Sequence, residues 1–134
     1  VNQLYLNIFG RNAEPGGLDF WANALTNGDE TVESIALQLS YSAQNDDRLV
    51  VANRIEAANV FTSKIDTSSE REGYVGNAAA ASARSWLALV LATDSSRNAA
   101  ILSADQAIIE TTTAGRLSTP ARGFLFEQIK AGID

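Results

Sequence analysis

Apolar side chains recur along this chain at spacings of three and four residues. Val1, Leu4, Tyr5, Ile8 and Phe9 share one face of an α-helix, with Asn2, Gln3 and Asn7 outside it. Gly10 is placed to stop that helix in the left-handed C′ conformation, and Arg11 to lie over its last carbonyls. Pro15, Gly16 and Gly17 turn the chain. A second helix follows, with Leu18, Trp21, Ala22 and Leu25 on its stripe and Asp19 in its first turn, ending at Asn27-Gly28. The third starts at Asp29 or Thr31 as N-cap, carries Val32, Ile35, Ala36 and Leu39, and runs to about Ser42.

The second half keeps the same period. After a polar Gln44 to Asp47 link, Val51, Ile55, Ala58 and Ile65 lie in one arc, with Phe61 at its edge and an end near Lys64. Asp66 to Ser69 form a polar joint, and Ser69 to Glu72 fit a capping box. The fifth helix, weakened at its start by Gly73 and Gly76, presents Ala79, Ala83, Trp86, Leu87, Val90 and Leu91 and reads as the central one. Asp94, Ser95 and Ser96 offer the next cap, before a face of Ala100, Ile101, Ala104, Ala107 and Ile108. A loose turn is expected from Thr112 to Ser118. Thr119-Pro120 then opens a last helix with Ala121, Phe124, Leu125 and Ile129, closed by Gly132. No useful stretch alternates with period two. The pattern predicts an all-α, bundle-like single domain of about six to seven helices over residues 1–134, without a sheet. A possible subdivision separates 1–66 from 69–134. Gly115-Arg116 echoes Gly10-Arg11 but lacks the flanking aromatic stripe, which argues against an internal repeat.

Composition narrows the chemistry. The chain has 134 residues, 46% hydrophobic, enough for a core without disulfides or metal. It contains neither cysteine nor histidine, which removes thiolate zinc sites, cysteine nucleophiles and the commonest general base. A net charge of −6 with scattered basic residues opposes nucleic-acid binding. The longest apolar run, Trp86 to Ala92, is far short of the roughly 20 residues of a membrane-spanning helix, so no membrane insertion is expected. With no methionine anywhere, the sequence is expected to be part of a longer precursor.

Several residues invite a functional reading, each with a plainer one beside it. Arg11 could grip a carboxylate or phosphate, or simply cap the first helix and pair with Glu14 or Asp19. Trp21 and Phe20 could stack on a sugar, but Trp21 falls on the apolar stripe, leaving Phe20 the more open. Asp29-Glu30, Asp46-Asp47 and Glu70/Glu72 are acidic pairs at helix starts. Neighbours on one helix do not face each other across a cleft as a glycosidase requires, and their spacing matches no calcium loop, so capping accounts for them. No nucleophile elbow or phosphate-binding loop occurs. An enzyme acting on polysaccharide would need two facing carboxylates from distant segments.

The order Leu4-Tyr5, Phe9-Gly10-Arg11, Pro15, Gly17-Leu18-x-Phe20-Trp21, Ala24-Leu25, Gly28, Ile35-Ala36 and Ser42 resembles a helical domain of unknown function. That domain recurs in bacterial type I-secreted repeats-in-toxin and surface-layer proteins. The likeness spans about the first 45 residues; it departs from the family pattern at Glu14 before Pro15 and at Ala43-Gln44. The structural motif is Gly10, Arg11, Pro15, Gly17 and Trp21. Ala52-Asn53-Arg54 through Phe61-Thr62 also resembles the N-terminal region of alphaproteobacterial surface-layer proteins, which anchors the lattice to lipopolysaccharide O-polysaccharide. The resemblance implies a secreted, extracellular, non-catalytic anchoring module with cell-surface polysaccharide as partner. Phe20, Tyr41 and Tyr74 are then the candidate glycan contacts. It implies no cofactor or metal in this segment, and calcium in the rest of the protein. The Gly-Arg pattern is also similar to phycobilisome linker domains, which implies the alternative of protein assembly with neighbouring subunits as partners.

Overall fold

Gly10 ends the first helix as its place in the pattern requires: φ is 73°, a backbone state that costs a residue with a Cβ. The computed structural model describes residues 1–118, and the helix expected beyond Thr119 lies outside them. Within that range are eight helices, with no strand among the described residues: α1 (Asn2–Phe9), α2 (Pro15–Asn27), α3 (Val32–Ser42), α4 (Asn45–Lys64), α5 (Ser68–Gly73), α6 (Gly76–Leu87), α7 (Asp94–Leu102) and α8 (Ala104–Ser118). The all-α class is as expected, and the helix count exceeds six to seven because two expected helices each divide.

The first division falls between Gly73 and Gly76, where Gly76 has φ 77° and the extended Val75 precedes a new helix. The second falls at Ser103, which caps α7 and starts the turn into α8. Thr112 to Ser118 continue α8 instead of turning, and Thr111 and Thr112 are buried; the Thr112 hydroxyl donates to the Ile108 carbonyl at 2.8 Å. Caps also move by a residue or two. The box expected at Ser69 is made by Thr67 and Glu70, and the cap of α7 is Thr93. Pro15 to Gly17 belong to α2, with Pro15 in its first turn where a missing N–H costs nothing, so Asp19 lies past that turn.

Three clusters make the core. Tyr5 and Phe9 of α1 pack edge to face at 5.5 Å against Ile35 and Leu39 of α3, with Trp21 and Leu25 of α2 at the margin. Ala57, Val90 and Ala100 form the second cluster. Phe61, Ala107 and Ile108 form the third. Helix α4, 20 residues long, touches α1, α6, α7 and α8 and is the central element, a place expected for the Trp86 helix. Its buried face is rotated from the expected arc. Val50, Asn53, Arg54, Ala57 and Phe61 are buried, while Ile55 is 57% exposed.

Glu14, Glu30, Glu33 and Glu70 are all held below the ordinary carboxyl value of 4.5. For Glu14, Glu33 and Glu70 the main cause is a backbone hydrogen bond, and for Glu30 it is the Ser34 hydroxyl. A carboxyl with a lowered folded-state pKa contributes stability in full above its unfolded value and loses it as pH falls through the folded value. With no histidine to titrate, the urea midpoint should be level between about pH 6 and 8 and fall on acidification below 4.5. A step centred near neutrality in a pH series of urea melts would contradict this assignment.

Candidate functional site

Arg11 is occupied by the protein itself. Its Nε and Nη2 donate to the two carboxylate oxygens of Asp47 at 2.9 and 2.7 Å, its Nη1 lies 2.7 Å from Glu14, and the guanidinium sits over the Tyr5 and Phe9 rings. The Asp47 hydrogen bonds raise its pKa further above the usual arginine value. Arg11 therefore braces the α1–α2 turn to the first turn of α4. Glu14 is a partner, and Asp47 takes the place expected for Asp19.

Arg54 covers the end of α1, the position expected for Arg11. Its Nη1 donates to the carbonyls of Leu6 (3.0 Å) and Asn7, its Nε to Val90 (3.0 Å) and its Nη2 to Ala88 (3.3 Å). Asn53 adds a bond from its side-chain amide to the Leu91 carbonyl at 2.9 Å. One cation thus closes the carbonyl ends of α1 and α6 together, where a helix dipole favours positive charge. Burial pushes its pKa down from the ordinary value. A Cβ at Gly10 would come within 3.0 Å of this guanidinium, a second reason for glycine there.

Three depressions adjoin at Leu87, and Arg54 lines two of them. The first, about 210 Å³, is walled by Phe61, Tyr74 and Trp86 with Thr62 and Arg84. Phe61 lies 6.0 Å from Tyr74 and 5.0 Å from Trp86, ring centre to ring centre. The indole N–H of Trp86 donates to Ser103 Oγ at 3.1 Å, which holds the ring in place. Leu87 is common to all three depressions; the other two extend past Arg54, Asn7 and Leu6 on one side and toward Ile8, Ile55 and Ser40 on the other. Each is smaller than the roughly 300–1,000 Å³ of an enclosed ligand pocket and suits one segment of a longer ligand lying across the surface.

Of the expected glycan contacts, Tyr74 stands on this furrow and is 44% exposed. Phe20 and Tyr41 stand elsewhere, 64% and 87% exposed on α2 and α3, and neither lines it. Phe20 packs edge-on against Trp21 at 4.8 Å. Of the motif residues not yet placed, Trp21 is half-buried against the first cluster, and a Cβ at Gly17 would stand 3.0 Å from the Tyr5 hydroxyl. Phe61, Trp86 and Arg84 were not among the expected site residues. Arg84 had one signal, as the one charged residue of its helix.

Of the acidic pairs expected to cap helix starts, Glu70 alone does so through backbone N–H groups, and one member of each other pair has a side-chain partner instead. Glu70 accepts from the Thr67 and Asp66 backbone, Asp47 takes Arg11, and Glu30 accepts from Ser34 beside the Thr31 cap. Among the described residues no group of three or more metal-binding side chains occurs, and no helix is long and apolar enough to cross a membrane.

Comparison with known families gives one match. Residues 1–49 match the family described as "Domain of unknown function (DUF4214)", which covers α1 to α3 and the first turn of α4. No curated protein and no solved structure matches the chain.

Proposed function

We propose that this chain is a non-catalytic attachment module of an exported surface-layer or adhesin-type protein, and that it holds cell-surface glycan in the furrow beside α4 and α6. Lipopolysaccharide O-polysaccharide is the glycan the resemblance implies. The supporting observation is the Phe61–Tyr74–Trp86 wall: aromatic side chains provide apolar surface on which the C–H face of a sugar packs, and Thr62 lines the same depression. Glu70, drawn into a cap, and Asp47, drawn into the Arg11 brace, fit a binding role better than hydrolysis.

Calorimetric titration with purified O-polysaccharide is the test. Tyr74→Ala should weaken binding by about fivefold to tenfold, the order expected for one lost ring contact, while Tyr41→Ala leaves it unchanged. No binding at any calcium concentration, or equal binding by Tyr74→Ala, would remove the proposal.

A second reading, assembly with neighbouring subunits, draws on the exposed apolar side chains. Tyr41, Leu102 and Leu117 are each more than four-fifths exposed. Light scattering that rises with protein concentration in the absence of glycan would favour it.

A further inference from the structure

We infer that the furrow selects an acidic saccharide, with Arg84 gripping a sugar carboxylate while the sugar ring packs on Tyr74 and Trp86; this rests on the glycan reading above. The chain carries 16 acidic and 10 basic residues. Yet the described residues lining the three joined depressions include Arg54 and Arg84 and no aspartate or glutamate. The balance within these three is thus opposite to that of the whole molecule, with Glu110 in a further depression that Trp86 also lines.

The two arginines differ in what they have left to give. Arg54 spends its donors on the carbonyls of Leu6, Asn7, Ala88 and Val90, so it offers charge more than hydrogen bonds. Arg84 makes no ion pair or hydrogen bond with another described side chain and lines two of the depressions, one of them aromatic. A planar guanidinium whose donors no described side chain takes, in one lining with aromatic rings, matches a pyranose that carries a carboxylate: the fork takes the two oxygens and a ring takes the C–H face. A neutral hexose would use the ring and leave the fork in water. The run of adjoining depressions past Leu87 further suits a ligand longer than one sugar.

The test compares tetragalacturonate with its methyl ester, which has the same sugars and linkages without the charges. Titrated calorimetrically into the whole chain, the acid should bind roughly tenfold more tightly than the ester, and 0.5 M salt should reduce that preference. Arg84→Gln should erase the preference while ester binding stays, and Tyr74→Ala should weaken both. Equal affinity for acid and ester, or a preference that survives Arg84→Gln, overturns the inference. If neither probe binds but O-polysaccharide does so in a Tyr74-dependent way, the acidic selection fails and glycan attachment stands. If nothing binds, both fall.

Discussion

Replacing Arg54 with methionine should lower the thermal midpoint by roughly 10 °C. The substitution keeps an apolar stem of similar length and removes only the fork, so the loss reports the hydrogen bonds and not the packing. The Val90 carbonyl belongs to a residue with no exposed surface and has little access to replacement water. Stranding a buried acceptor costs about 1–3 kcal/mol. Leu6 and Asn7 are exposed enough for their carbonyls to recover part of their bonding from solvent. Desolvation of the guanidinium, visible in its lowered pKa, offsets some of the gain. The net is about 3 kcal/mol, and at about 3–4 °C per kcal/mol for a chain of this size that gives the stated shift. Arg54→Lys, with charge but no fork, should fall between. Hydrogen exchange should lose protection first in α1 and at Leu89 to Leu91, the segments this side chain ties together. A midpoint within 2 °C of the parent for Arg54→Met would mean that the carbonyls are satisfied without it.

That same residue marks where the amino-acid pattern stops being readable. Helix α1 is legible because Tyr5, Ile8 and Phe9 contrast sharply with Asn2, Gln3 and Asn7, and its end is legible because Gly10 has a conformational task. Helix α4 is read with its face turned. Asn53 and Arg54 sit on the buried side among Val50, Ala57 and Phe61, so the polar signal falls inward and Ile55 is wrongly taken for core. Only tertiary partners rescue that arrangement, since the Arg54 acceptors are 34 to 48 residues away in sequence. Thr111 and Thr112 mislead in the same way. Two buried threonines with nearby glycine suggest a turn until α5 is packed against Thr112 and α6 against Thr111. Caps miss by one or two residues because serines, threonines and acids crowd each joint and several could accept the first N–H groups.

The candidate site was legible only in Tyr74. Phe61 and Trp86 have helical spacings that read as core, and Phe61 is indeed buried, yet both line the open furrow. Phe20 lies off the apolar stripe of its helix, and both it and Tyr41 are exposed. Exposure alone does not bring aromatic residues from α2, α3 and the α5–α6 joint to one place.

The crossing behind Tyr74 carries the second large effect. Gly115 of α8 lies against Gly73 of α5 so closely that a Cβ on Gly115 would overlap the Gly73 carbonyl and reach within 3.0 Å of the Val75 carbonyl. Both obstacles are backbone, which cannot swing aside as a flexible side chain can. Gly115→Ala should therefore destabilise by about 3 kcal/mol, the upper end of ordinary overpacking, despite the roughly 1 kcal/mol that alanine gains over glycine inside a helix. That is a midpoint drop of roughly 10 °C. Gly16→Ala is the matched control, since nothing stands within 4 Å of its added Cβ and it lies in α2; its midpoint should hold or rise by a few degrees. Equal shifts for the two variants would show that propensity and not the crossing decides. Because Tyr74 directly follows Gly73, pushing α5 off α8 also displaces one wall of the furrow. Gly115→Ala, assayed well below its midpoint, should weaken polysaccharide binding while Gly16→Ala leaves it intact.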